Sequence, residues 1–341
     1  MVCTSFIKFA IRRALSSIAT LFGALLLVFV ISRVLIPNPA RAWAGPRADE
    51  ATVRRIGETY HLYDPVYTQF YFYLRDLAQG NLGTSPNTGQ PVLSNIEAFF
   101  PATIELALVS MALAILIGVI LGVVSASHQD RPTDHGIRVF ALFGVASPPF
   151  LAALLIQLVF FFWLGIFPDS GGRISALVAP PTHITGLYLV DSVITGNATA
   201  FLSSLQHIIM PAVAQALLYF GIATRLTRAS MLEVIRMDYV RMARSKGLSR
   251  KAVMYKHALR NALIPTTTVM AIMFAYMLGG SVVIESIFQW PGVGRYAAQS
   301  ILALDYPAVM GVTLVFALCV IVVNFVADLF QAFLDPRVQL K

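Results

Sequence analysis

Chemically capable side chains concentrate in one place, residues 225–265, where RLTRASMLEVIRMDYVRMARSKGLSRKAVMYKHALRNALIP carries ten basic residues: Arg225, Arg228, Arg236, Arg241, Arg244, Lys246, Arg250, Lys251, Lys256 and Arg260. Only Glu233 and Asp238 oppose them, so the segment holds a formal charge of +8, equal to that of the whole 341-residue chain. The chemistry open to such a segment is electrostatic: attraction to anionic lipid, to nucleic acid or to a partner protein. Covalent and metal chemistry find no footing. There is no CxxC or HExxH spacing, no clustered nucleophile and base, and no GxxxxGK[ST] loop to hold nucleotide phosphates. Cys3 and Cys319 lie at the N-terminus and inside an apolar run, which does not indicate a disulfide framework.

The elements that must position this island are membrane spans. The chain is 57% hydrophobic and 12% charged, about half the charge of an average soluble domain. Six apolar stretches are expected to cross: 14–32, 106–127, 139–167, about 206–224, 261–284 and 306–327. The first has 19 uncharged residues, enough for a hydrocarbon core of about 30 Å. That exceeds the roughly 7–15 residues of a signal-peptide core, so it reads as an uncleaved span, although Ala42 and Ala44 resemble a cleavage site. Gly118 and Gly122 form a GxxxG that permits close helix approach, and Pro148 and Pro149 interrupt the third stretch. Residues 37–97, rich in Pro, Gly and charge, read as an external segment with helices over 48–60 and 66–77. Six spans with both termini cytoplasmic place 17 of the 25 Lys and Arg on the inner side, as the positive-inside bias requires. The resulting division is 1–36 (N-terminus and first span), 37–97 (external), 98–330 (core with spans two to six) and 331–341 (cytoplasmic tail).

Within the island, a helix is expected over 229–245, ended by Gly247 in the left-handed conformation. Ser249 caps a second helix over 250–263, and Pro265 stands where that helix meets the fifth span. Ala252, Tyr255, Leu259 and Ala262 form the stripe expected to face the protein's own spans, with Arg250, Met254, His257 and Asn261 opposite and Lys251 at the edge. A helix-turn-helix for nucleic acid fits poorly, because both ends of the segment are tied to membrane spans. Polar residues inside or near spans, Glu105, Gln157, His207, Gln215, Asn324 and Asp328, suit interfacial or helix-pairing roles and identify no substrate path.

The run YVRMARSKGLSRKAVMYKHALRNALIP (239–265) resembles the EAA-type coupling loop of ABC importer permeases, and more closely the version found in the dipeptide/oligopeptide permease family. The segments PPTHITGLYLVDSVITGN (180–197), QWPGVGRYAAQSILALDYPAVMG (289–311) and LDPRV (334–338) are similar to that family as well. The general motif begins Glu-Ala-Ala, where this chain has Arg241, Met242 and Ala243. The resemblance implies an all-α integral membrane protein with six transmembrane helices of the type I ABC importer permease fold, carrying an external insertion between spans one and two. It implies a non-catalytic subunit for peptide import in the prokaryotic plasma membrane, or for a related solute such as nickel, glutathione or haem. An ATP-independent secondary transporter is the other class, but no inverted repeat supports it. The implied partners are a homologous second permease, two cytoplasmic ATP-binding subunits that hold ATP and Mg, an external substrate-binding protein and the lipid bilayer. No cofactor is implied for this chain. On the motif's pattern, Ala243, Gly247, Leu248, Ser249, Arg250, Lys251, Ala252, Met254 and Tyr255 are the expected ATPase-coupling residues.

Overall fold

The computed structural model describes residues 2–169 and 171–334; of the expected tail, residues 335–341, which hold most of the LDPRV run, lie outside the described residues. All regular elements among the described residues are helical. The first helix, α1 (Val2–Phe29), continues through a π-helical turn at Val30–Val34. Three short helices follow, α2 (Pro39–Ala44), α3 (Glu50–Thr59) and α4 (Val66–Ala78). Then come the long α5 (Val92–Ser127), α6 (Pro132–Ala146), α7 (Pro149–Ile156, extended by a π-helical stretch Gln157–Trp163) and α8 (Tyr188–Ile194). The chain continues with α9 (Ala198–Val234), α10 (Asp238–Ser245) and α11 (Arg250–Ala252), which passes through a π turn at Val253–Ala258 into α12 (Leu259–Gly280). It closes with α13 (Val282–Ile287), α14 (Val293–Leu302) and α15 (Tyr306–Leu334).

Five helices are long and apolar enough to cross a membrane, and the α6–α7 pair, bent by 107°, makes a sixth when counted as one broken span. The expected third span therefore turns more sharply than a kinked helix. Ser147 is held extended (φ −71°, ψ 129°) ahead of Pro148, because the residue before a proline is pushed out of the α region. Pro149 then starts α7, where a missing N–H costs nothing. Elsewhere prolines do not stop helices. α5 begins at Val92 rather than 106 and runs through Pro101; α9 runs from Ala198 to Val234 through Pro211. At 1.5 Å per residue each is about 55 Å long, well beyond the hydrocarbon thickness of about 30 Å, so both project from the bilayer.

The α5–α9 contact is the centre of the bundle. A Cβ placed on Gly118 would lie 2.4 Å from the Ala223 Cβ and 2.9 Å from the Phe220 carbonyl oxygen, and one on Gly122 would lie 2.6 Å from the Thr227 Cβ. The GxxxG is thus a close backbone approach. α6 joins through Gly144, whose added Cβ would meet the Phe220 ring at 2.3 Å. Gln215, fully buried, accepts from the Ser110 hydroxyl at 3.0 Å and donates to the Met277 carbonyl at 3.2 Å, tying α9 to α5 and α12. Asp328 pairs with Arg13, joining α15 to α1. Both polar residues serve helix pairing.

At the end of the bundle where α5 begins, two buried carboxylates organise the loops. Glu105 pairs with Arg173 at 2.6 Å and accepts the Leu189 N–H at 2.7 Å, while Arg173 also donates to the Gly186 carbonyl at 2.8 Å. The lone base of the loop after α7 is therefore a buried structural partner. Glu285, also fully buried, accepts from Ser281 Oγ at 2.6 Å, Thr103 Oγ1 at 2.9 Å and the Arg295 N–H at 2.9 Å. The glycines of the Pro291–Gly294 turn make room for it: a Cβ on Gly292 would fall 2.4 Å from Glu285 Oε2. Glu285→Ala strands three donors, each worth about 1–3 kcal/mol when left buried. The expected result is a melting temperature lower by roughly 5–15 °C, measured on the purified protein, with Glu285→Gln intermediate.

Candidate functional site

The basic island is three pieces rather than two. α9 continues to Val234, so residues 225–234 are the projecting end of a span, and the expected helix over 229–245 is interrupted at Ile235–Met237. α10 then ends on Gly247 (φ +78°). The Gly247 N–H donates to the Arg244 carbonyl at 2.9 Å and the Leu248 N–H to the Ala243 carbonyl at 3.4 Å, the paired pattern that closes a helix with a left-handed residue. Ser249 restarts the chain: its Oγ accepts the Ala252 N–H at 3.3 Å. From Arg250 the backbone stays helical to Gly280, and Pro265 lies inside α12 rather than at a break.

The expected face of this second helix holds at Ala262 and, half-buried, at Ala252 and Leu259, and is corrected at Tyr255 and Met254. Met254, Ala258 and Ala262 are buried with Val253, whereas Tyr255 is 57% exposed. The π turn at Val253–Ala258 explains the change of phase. A wider turn holds more residues, so positions four apart stay on one side instead of drifting round the helix. Val240 and Ala243 of α10, with Val253, Met254, Ala258 and Ala262, enclose one apolar cluster with Val123 and Ala126 of α5 and Met231 and Val234 of α9. Asn261 donates to the Tyr239 hydroxyl at 2.7 Å and fastens α10 to α12. Both arms of the elbow therefore rest on the ends of the two longest spans.

Of the expected coupling residues, Ala243 and Met254 face this cluster, and Ala252 is half-buried. Gly247, Leu248, Ser249, Lys251 and Tyr255 are exposed. The side chain of Arg250 lies outside the described residues. Met242, Leu248 and Tyr255 are exposed apolar groups on the same segment as the exposed Arg241, Arg244, Lys246, Lys251 and Lys256.

One cation of the island does other work. Arg228 donates to Asp134 through Nε at 2.8 Å and Nη2 at 2.6 Å. Asp134, fully buried, also accepts the Asp130 N–H at 3.0 Å and the Ser125 hydroxyl. This cluster pins the start of α6 to α5 and α9. Losing one partner of such a buried pair costs about 3–5 kcal/mol. The sequence offered one signal for it: an acid in the first turn after Pro132, where helix N-termini favour negative charge.

Residues 114–340 match the family model described as binding-protein-dependent transport system inner membrane component. The chain is 42% identical to a probable D,D-dipeptide transport system permease protein, DdpB, of Escherichia coli, over 96% of both chains. It is 38% identical to the dipeptide transport system permease protein DppB of Alkalihalophilus pseudofirmus, over 98% of this chain and 99% of that one. It is 33% identical to the glutathione transport system permease protein GsiC of Escherichia coli, over 98% of this chain and all of that one. A multi-pass helical bundle built round the α5–α9 contact, with these full-length likenesses, belongs to the family of inner-membrane permease components of binding-protein-dependent transport systems.

Proposed function

We propose that this chain is a transmembrane subunit of an ATP-driven importer of di- and oligopeptides, in the prokaryotic plasma membrane with both termini cytoplasmic. It forms half of the translocation path with a homologous second permease. Two cytoplasmic subunits bind and hydrolyse ATP with Mg, and an external binding protein delivers the peptide. The observation that carries the reading is the elbow at Gly247: two helices, each anchored on a span end, presenting Leu248, Ser249, Lys251 and Tyr255 outward. The names of the relatives support peptide as the cargo. Closure of the ATPase dimer on ATP draws two such elbows together, and α9 and α12 carry that motion into the bilayer. Energy reaches the path through contacts that differ between the two states.

Crosslinking tests this reading. With cysteine at Lys251 or Tyr255 and a short bifunctional reagent, the expected product is a heterodimer with an ATPase subunit, its yield changing on addition of ATP. Products confined to lipid or to this same chain would overturn it.

A further inference from the structure

Where α1 ends, α2, α4 and α15 close round a cavity of about 20 Å³ lined by Arg33, Trp43, Tyr73 and Asp76. Arg33 is only 7% exposed. Its Nη1 donates to the Tyr60 carbonyl at 2.7 Å, and its guanidinium carbon stands 4.9 Å from the Trp43 ring centroid and 5.8 Å from that of Tyr73. Two rings and a carbonyl are the groups in direct contact with this buried positive charge, and the nearby Asp76 carboxylate offsets it only in part. Asp76, on the same wall, is engaged by Arg75 at 3.3 Å. Three buried polar atoms of the lining residues meet no protein partner: Arg33 Nε, Trp43 Nε1 and Tyr73 Oη. The first two can only donate. Burial pushes the Tyr73 phenol up to about 12, against the opposing pull of Arg33, so it too keeps its proton.

Three donors and one excess positive charge define the guest: an acceptor, small and negative. The volume exceeds the roughly 10–15 Å³ that one water requires and gives room for one small acceptor. We propose that this cavity binds a monatomic anion of the halide class, held by Arg33, Trp43 and Tyr73. The anion neutralises Arg33 and fastens the segment holding α2–α4 to the outer turns of α1 and α15, where Met310 and Gly311 complete the wall.

Bromide is both a ligand of this class and a quencher of indole fluorescence, and Trp43 reports from inside the cavity. The experiment uses the permease with its partner subunits in nanodiscs, titrated from gluconate into bromide at constant ionic strength. The expected result is a saturable quenching component in the wild type that is absent in Trp43→Phe, with a melting temperature that rises as chloride or bromide replaces gluconate. Tyr73→Phe keeps the ring and loses one donor, and should weaken bromide binding about tenfold, the value of one hydrogen bond to a charged group. Quenching that grows linearly and equally in Trp43→Phe, a melting temperature indifferent to the anion, or unchanged bromide affinity in Tyr73→Phe would each show that the cavity holds water only.

Discussion

Gly118→Val removes the folded protein. The added Cβ would sit 2.4 Å from the Ala223 Cβ and 2.9 Å from a backbone oxygen of α9, and a backbone cannot step aside as a side-chain tip can. One turn further, Gly122 faces Thr227 and the Thr224 carbonyl just as closely, and Gly221 lets the Ala141 carbonyl of α6 approach to within 2.3 Å of its own missing Cβ. To admit valine, α5 and α9 must separate, which breaks the neighbouring contacts and the Ser110–Gln215–Met277 chain together. Overpacking a well-filled interior costs about 1–3 kcal/mol where neighbours can adjust. Here several sites fail at once, and the cost lies at or above about 3 kcal/mol. A fluorescent fusion run on size exclusion in mild detergent should give an aggregated peak. Gly118→Ala should give a partial loss. Gly136, with nothing near its Cβ position, supplies the control: Gly136→Ala should hold or raise stability by about 0.5–1 kcal/mol. A monodisperse Gly118→Val with wild-type melting would mean that α5 and α9 do not meet this closely.

The spans were legible because hydrophobic length is read by lipid, which sees composition before it sees tertiary structure. The elbow was legible for a similar reason: Gly247 and Ser249 act through local backbone geometry, and both do what their types suggest. What sequence hid was set by partners distant in the chain. Pro101 and Pro211 look like helix breakers, yet α5 and α9 run through them, as membrane helices tolerate. Arg228 and Arg173 look like members of basic and loop segments, but their carboxylates come from Asp134 and Glu105, 94 and 68 residues away. Tyr255 and Met254 were placed on the wrong faces of the second island helix because a π turn changes the period and leaves no simple mark in composition. α2 could have been found: Asn38 before Pro39 is a helix start, and the Arg41 N–H does donate to Asn38 Oδ1 at 2.9 Å.

Gly247→Asp should uncouple the transporter while leaving the subunit in the membrane. The position is exposed, and nothing lies within 4 Å of an added Cβ, so no clash follows. The φ of +78° makes most side chains cost about 1–2 kcal/mol, and Asn or Asp less, a local strain that the apolar cluster beneath the elbow can carry. The larger effect is electrostatic. A partner complementary to this cationic surface is acidic where it meets the elbow, and a like charge placed in such a contact costs several kcal/mol. A loss of about 3 kcal/mol lowers affinity for the ATPase by more than a hundredfold. Uptake of labelled dipeptide by cells lacking other peptide importers should fall to background. Amounts in the membrane and melting temperature should stay near wild type. Gly247→Asn, which tolerates the left-handed conformation and adds no charge, should retain most uptake, and Gly247→Ala isolates the cost of strain. Wild-type uptake by Gly247→Asp would remove the elbow from the coupling path. Uptake lost equally in Gly247→Ala and Gly247→Asp would assign the effect to backbone conformation instead of to the docked surface.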